Sequence, residues 1–268
     1  MQVIIITGSS DGIGAEMARQ LARQYGTQIA LVLAARNETL LQQVAADCRS
    51  SGAQTLVLKT DVSLQAECLA LIAASIQKFG RLDALINNAG RSAQALFAEV
   101  DDLSWYEELM RINFWGSLWC THAALPYLKA SKGKIVAVSS LAGLIGVPGR
   151  TAYSASKFAM GGFFESLRAE LGDSGVTVTV AYPGVVATQI RYRGYNAAGL
   201  AAGSSGLKED HAMSVEQCAS LILAGMQRGK REVVMSVKGK LGRWLKLLLP
   251  ALVDKMAMAA LKKEVRPE

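Results

Sequence analysis

Short apolar runs rich in branched residues alternate with helix-spaced segments along most of the chain, and that alternation decides the fold class. The runs are residues 3–6, 29–33, 55–58, 84–86, 134–138, 176–181 and 232–235. Residues 3–6, 29–33 and 84–86 are apolar without a break, as a strand buried on both faces is. Between them, residues 13–24, 38–48, 64–79, 105–128, 153–171 and 215–226 repeat apolar side chains three and four apart, the spacing of a helix with one buried face. A β-α-β-α order requires parallel strands joined by right-handed helical crossovers. The expected architecture is therefore a single doubly wound α/β domain, a seven-stranded parallel sheet with helices on both faces. No repeat and no Pro/Ser linker divides it, so residues 1–237 read as one domain and 238–268 as a C-terminal extension.

Several function classes are excluded on composition. With 268 residues, 51% apolar and 19% charged, the chain is globular. No basic segment precedes the first apolar run, which argues against a secretory signal. Arg243, Lys246 and Asp254 interrupt the most apolar region, so no spanning helix is expected. The cysteines, Cys48, Cys68, Cys120 and Cys218, make no metal-type spacing with the two histidines, His122 and His211. Reduced thiols, a cytoplasmic setting and no bound metal follow as expectations.

Thr7-Gly8-Ser9-Ser10-Asp11-Gly12-Ile13-Gly14 stands between the first strand and the first helix. Glycines there allow positive φ and close backbone approach, and the helix N-terminus offers unpaired N–H groups to a pyrophosphate. The same residues satisfy Gly-x-Ser-x-Gly with Ser10 central, the pattern of a hydrolase nucleophile elbow. Such an elbow draws an oxyanion donor from an earlier strand-helix loop, and only nine residues precede Ser10. The dinucleotide reading is the stronger of the two.

Further signals follow later strands: Asn87-Asn88-Ala89-Gly90, then Asn113, Ser140, Tyr153-Ser154-Ala155-Ser156-Lys157, and Pro183-Gly184 with Thr188. Together with the glycine turn, this combination resembles the classical short-chain dehydrogenase/reductase family over residues 3–235, which implies a Rossmann-type fold. Tyr153 and Lys157 are i and i+4 and share a helix face. Bringing a tyrosine from pKa ~10 to ~7 takes about 4 kcal/mol. An ammonium about 4 Å away at an effective dielectric of ~20 supplies a comparable amount. Tyr153 is thus expected to give a proton to a carbonyl oxygen as hydride arrives from a nicotinamide, and to take it back in alcohol oxidation.

The resemblance implies that Lys157 also holds the nicotinamide ribose, that Ser140 bonds the substrate oxygen, and that Asn113 anchors a water relaying protons toward Lys157. It also implies an adenine contact at Asp61 and Val62, backbone contacts at Asn88 and Val186, and a place for Thr188 beside the nicotinamide amide or the pyrophosphate. With Gly8, Ser10, Asp11, Gly12, Ile13 and Gly14 these form the expected cofactor site.

The cofactor is chosen at the end of the second strand, where an acid would bind the adenosine ribose hydroxyls and repel a 2′-phosphate. Here stand Arg36 and Asn37, with no acid and a guanidinium suited to phosphate. NADP(H) is the expected cofactor. Asp11 departs from NADP(H)-binding relatives, which often carry a basic residue at that position, and Ser10 could donate to the phosphate instead.

The expected reaction interconverts a small-molecule carbonyl, an apolar ketone, and its alcohol. The oxidative direction and a catalytically silent nucleotide-binding scaffold are the alternatives. Assembly as a homodimer or homotetramer through the long helices is expected. Residues 184–213, rich in Gly, Ala and Ser, read as a lid or as a surface loop. From residue 228 onward there are eleven Lys/Arg against four Asp/Glu, an excess equal to the whole chain's +7. Leu241, Trp244, Leu248, Leu252 and Met256 give this basic tail an amphipathic stripe, with Pro250 set to kink one helix or open a second. Such a tail packs on its own domain, on a partner subunit, or on a membrane surface. Nucleic acid is not an expected partner, because aromatic and basic residues do not interleave outside the tail.

Overall fold

The computed structural model describes residues 1–205 and 212–265. Part of the expected lid, His211 included, the side chains of Lys262 and Lys263, and residues 266–268 lie outside the described residues. All seven expected strands form: β1 (Gln2–Thr7), β2 (Ile29–Ala35), β3 (Gln54–Lys59), β4 (Ala84–Asn87), β5 (Lys134–Val138), β6 (Thr177–Tyr182) and β7 (Glu232–Val234). They make one parallel sheet in the order β3-β2-β1-β4-β5-β6-β7. The chain reverses its direction of winding between β1 and β4, and the crevice outside the strand ends at such a switch point is where ligands bind.

Alternation along each strand separates two cores. Ile4, Ile6, Leu31 and Leu33 face α1 (Gly12–Tyr25), α2 (Glu38–Ser50) and α7 (Val215–Gln227). Val3, Ile5, Ala30 and Val32 face α3 (Gln65–Phe79), α5 (Gly116–Ser131) and α6 (Thr151–Glu170). The strands are covered on both faces, which is why they read as unbroken apolar runs. All four cysteines are buried and free.

One feature differs from expectation. The helix expected over residues 105–128 is α4 (Ser104–Met110), a widened π turn (Arg111–Trp115) and α5 in succession. Such a turn inserts one residue into the helical ladder and re-aims what it carries, here Asn113, whose carbonyl accepts from Ser117 Oγ at 3.2 Å. At the C-terminus Pro250 opens a second helix, giving α8 (Val237–Leu248) and α9 (Pro250–Val265). A proline's missing N–H costs nothing at a first helical position.

Candidate active site

The glycine turn is held by β4. Thr7 Oγ1 accepts from the backbone N–H of Asn88 and Ala89 at 3.0 and 3.1 Å, and Asn88 Nδ2 donates to the carbonyls of Thr7 and Gly8 at 2.9 and 3.1 Å. Gly8 and Gly12 have φ of +66° and +54°, and a Cβ on Gly8 would stand 2.7 Å from Ala89 Cα. Gly14 does not face the crevice; it lies where a Cβ would meet the Gly8 carbonyl and the Asn88 amide. Gly8→Ala is accordingly expected to cost about 1–3 kcal/mol, from a side chain forced to positive φ against backbone. It should also abolish dinucleotide binding; a melting curve and a cofactor titration like those of the wild type would refute this account of the turn.

Asp11 caps α1, its Oδ1 accepting from Gly12 N at 2.7 Å, while its Oδ2 pairs with Arg193 at 3.0 Å. The acid found where relatives carry a base is thus engaged by a cation from the loop after β6. Asn37 caps α2 by accepting from Leu40 N at 3.0 Å. Arg36 is 60% exposed and only loosely paired with Asp61, at 4.0 Å.

A cavity of about 800 Å³ runs from Gly8, Ser10, Asp11, Gly12 and Ile13, past Arg36, Asn37, Asp61, Val62 and Asn88, to Ser140, Tyr153, Lys157, Val186 and Thr188. The structure therefore brings nearly every expected residue to one crevice. Asn113 stands behind its wall, fully buried: Oδ1 accepts from Arg91 N at 2.8 Å, and Nδ2 donates to the Arg91 carbonyl and to Ser156 Oγ at 3.0 and 2.9 Å. A Cβ on Gly90 would lie 3.1 Å from Asn113 Oδ1 and 3.4 Å from Lys157 Nζ, so the glycine keeps these two groups near each other.

Tyr153 is almost wholly buried, in a cluster with Trp105, Tyr195 and Ala152. Burial pushes its pKa up, while a hydrogen bond with Ser140 and the positive charges of Arg150 and Arg191 pull it down. Ser139, the neighbouring hydroxyl, is committed to the Lys157 carbonyl at 3.1 Å, which separates the two serines by role. Lys157 Nζ donates to the Val138 carbonyl at 2.9 Å and lies 5.8 Å from the Tyr153 ring centre. The end of β5 stands opposite α6 and offers a buried acceptor to a buried ammonium, which would otherwise be unsolvated. Burial lowers the Lys157 pKa to about 8.

Sequence reasoning missed Arg150, although it lies three residues before Tyr153, a spacing that shares a helix face. Its guanidinium donates to Ser92 Oγ and Gln94 Oε1 at 3.4 and 3.0 Å. Arg91, also missed, donates to Tyr195 Oη at 2.8 Å and to the Arg193 carbonyl at 3.1 Å, fastening the loop after β6 to the loop after β4. Among the described residues no group of His, Cys, Asp and Glu could hold a metal ion.

The model of the short chain dehydrogenase family matches residues 2–198. The chain belongs to this family. As a short-chain dehydrogenase/reductase it is 39% identical over 253 residues to the 11-beta-hydroxysteroid dehydrogenase-like 4A of Arabidopsis thaliana, covering 94% of this chain and 82% of that one. It is 34% identical over 272 residues to the dehydrogenase/reductase SDR family protein 7-like of Dictyostelium discoideum, covering 98% and 84%. Among solved structures, a short-chain dehydrogenase from Sphingobium yanoikuyae in complex with NADPH superposes with a TM-score of 0.78 at 28% identity over 96% of both chains. A relative from Burkholderia phymatum in complex with NAD has the same fold, with a TM-score of 0.80 at 23% identity over 94% of both chains. The protein is thus an oxidoreductase of the short-chain dehydrogenase/reductase family, built to hold a nicotinamide dinucleotide.

Proposed function

We propose that the protein interconverts an apolar ketone and its secondary alcohol with NADP(H), and that Tyr153 is the acid and base. The observation that carries this reading is the Ser140–Tyr153 hydroxyl pair on the wall of the same cavity that begins at the glycine turn. The positive-φ glycines fit a pyrophosphate laid against the α1 N-terminus. When bound, the reduced cofactor would supply the hydride. The protein's own residues do the rest. Burial keeps the Tyr153 phenol protonated at neutral pH, ready to transfer its proton to a carbonyl oxygen. Ser140 can donate to the same oxygen as negative charge develops on it. Lys157, with its pKa near 8, can lend and recover a proton close to neutrality and would hold the nicotinamide ribose. Leu141, Ala142, Val147 and Ile190 give the reacting end of the cavity an apolar wall. The hydroxysteroid named for the plant relatives is a compound of that character.

The choice of NADP(H) rests on Arg36, exposed at the end of β2 and paired only loosely with Asp61 at 4.0 Å. Arg36→Asp should weaken NADPH binding about 10–100-fold, the worth of a hydrogen-bonded charge pair, and leave NADH within a few-fold. A fluorescence titration with both cofactors reads this directly, and unchanged preference would mean the phosphate is read elsewhere. Adding a panel of apolar ketones to the NADPH complex then tests the reaction: oxidation of NADPH on none of them, with the cofactor bound, would favour a silent scaffold.

The same reading includes a homo-oligomer through α5 and α6, supported by an aromatic face on those helices. Trp115 stacks on Trp119 with ring centres 5.8 Å apart, and Trp115 and Phe158 remain exposed. Four buried cysteines without disulfides support a reducing, cytoplasmic setting.

A further inference from the structure

The apolar side of α8 points away from the protein. Two of its cations are turned inward: Arg243 pairs with Glu232 on β7, and Lys246 donates to the Leu144 carbonyl at 3.1 Å with Nζ 4.7 Å from the centre of the Phe158 ring. The inner side is smooth enough for close contact, since a Cβ on Gly242 would stand 2.7 Å from Ile145 Cδ1. The large apolar residues go the other way. Leu241, Trp244, Leu247 and Leu248 are 64–76% exposed, and Leu249, Leu252 and Met256 carry the patch round the corner into α9. A helix serving only its own domain shows the reverse arrangement. So many large apolar side chains on consecutive turns form a surface that water alone does not cover.

We propose that this face of α8 and α9 rests on an anionic phospholipid surface. The leucines and Trp244 would enter the boundary between headgroups and acyl chains, with the exposed Lys240 and Lys255 toward the headgroups. Charge decides between a membrane and a second copy of the chain. The segment from residue 228 onward holds an excess of positive charge equal to that of the entire chain. An isologous pairing would set two such segments against each other, like charge facing like, whereas an anionic bilayer complements them. Among the described residues no helix is long and apolar enough to cross a membrane, so the contact is interfacial. It is also joined to the site. α8 lies on Leu141 and Ile145, and Leu141 lines the cavity, so the membrane-facing helix and the substrate wall share one loop.

The test uses the full chain in flotation with vesicles of phosphatidylcholine alone or with phosphatidylglycerol added. The protein should float with the anionic vesicles, show a blue-shifted tryptophan emission there, and release as salt is raised. The double variant Leu247→Glu, Leu248→Glu should lose vesicle binding by about tenfold or more while keeping its NADPH affinity and its oligomer size. Both positions are exposed, so the fold is not at stake. A wild type that stays in the soluble fraction, equal binding to neutral vesicles, or a double variant that still floats would overturn the proposal. A double variant of smaller oligomer size would overturn it in favour of a second copy. Because NADPH affinity is measured on the same samples, failure at the membrane is distinguishable from failure of the proposed reaction.

Discussion

Tyr153→Phe should lower kcat by about 10²–10⁴-fold, the usual worth of a positioned acid, while cofactor affinity stays within a few-fold. The substitution removes one oxygen and keeps the ring, and the ring is what packs with Trp105, Tyr195 and Ala152. Stability should therefore change by only about 1 kcal/mol, the cost of the hydrogen bond with Ser140. Folding and cofactor capture are thus separated from proton transfer. The measurement is single-turnover reduction of a ketone found by screening the wild type, beside a cofactor titration. Turnover within tenfold of the wild type would show that the proton comes from another group, and Ser140 would be next to examine. Ser140→Ala provides the internal comparison. It should lower kcat less than Tyr153→Phe, because it removes support for the oxyanion and leaves the acid in place.

The sheet was legible because its signal is local. Buried parallel strands such as residues 29–33 are unbroken apolar runs, and each crossover helix carries its own 3.6-residue period. The glycine turn and the Tyr153–Lys157 spacing were legible for the same reason: each is contained within a turn or two of chain. What escaped depends on contacts between distant segments. The direction of Lys157 Nζ is set by the carbonyl of Val138, on a different element and nineteen residues earlier. The Arg193–Asp11 pair joins the loop after β6 to the glycine turn, and no spacing rule connects them. The π turn at Asn113 leaves the apolar periodicity of α4 and α5 nearly intact, so the pattern read as one helix. The stripe on α8 was visible, but an amphipathic sequence does not say which way the stripe faces. Gly239 and Gly242 let that helix approach Leu141 and Ile145 of the body closely, and that choice became plain only in three dimensions.

Lys157→Met should abolish turnover and make the protein more stable at neutral pH. The lysine is buried, and its pKa falls from an ordinary 10.5 to about 8 because burial disfavours the ammonium. That difference amounts to about 3 kcal/mol of folding free energy lost whenever the group is charged. Methionine matches the volume without the charge, and the Val138 carbonyl left without its donor returns about 1 kcal/mol of cost. The expected net gain is about 2 kcal/mol, or roughly 4 °C in Tm for a chain of this size. The sign with pH is distinctive. Between about 8 and 10.5 the unfolded lysine still holds a proton that the folded one has released, so wild-type stability rises with pH across that window. The advantage of the variant should be full below pH 8, fall to zero part-way through the window, and give way to a deficit of about 1 kcal/mol, the lost bond to Val138, by pH 10.5. Thermal melts of both proteins across that range decide it: an advantage independent of pH would assign the effect to packing, and a less stable variant at pH 7 would mean that the bond to Val138 outweighs the buried charge. The expected outcome is a trade of stability for function, since the ammonium whose burial is unfavourable is the one placed beside Tyr153 at the reacting end of the cavity.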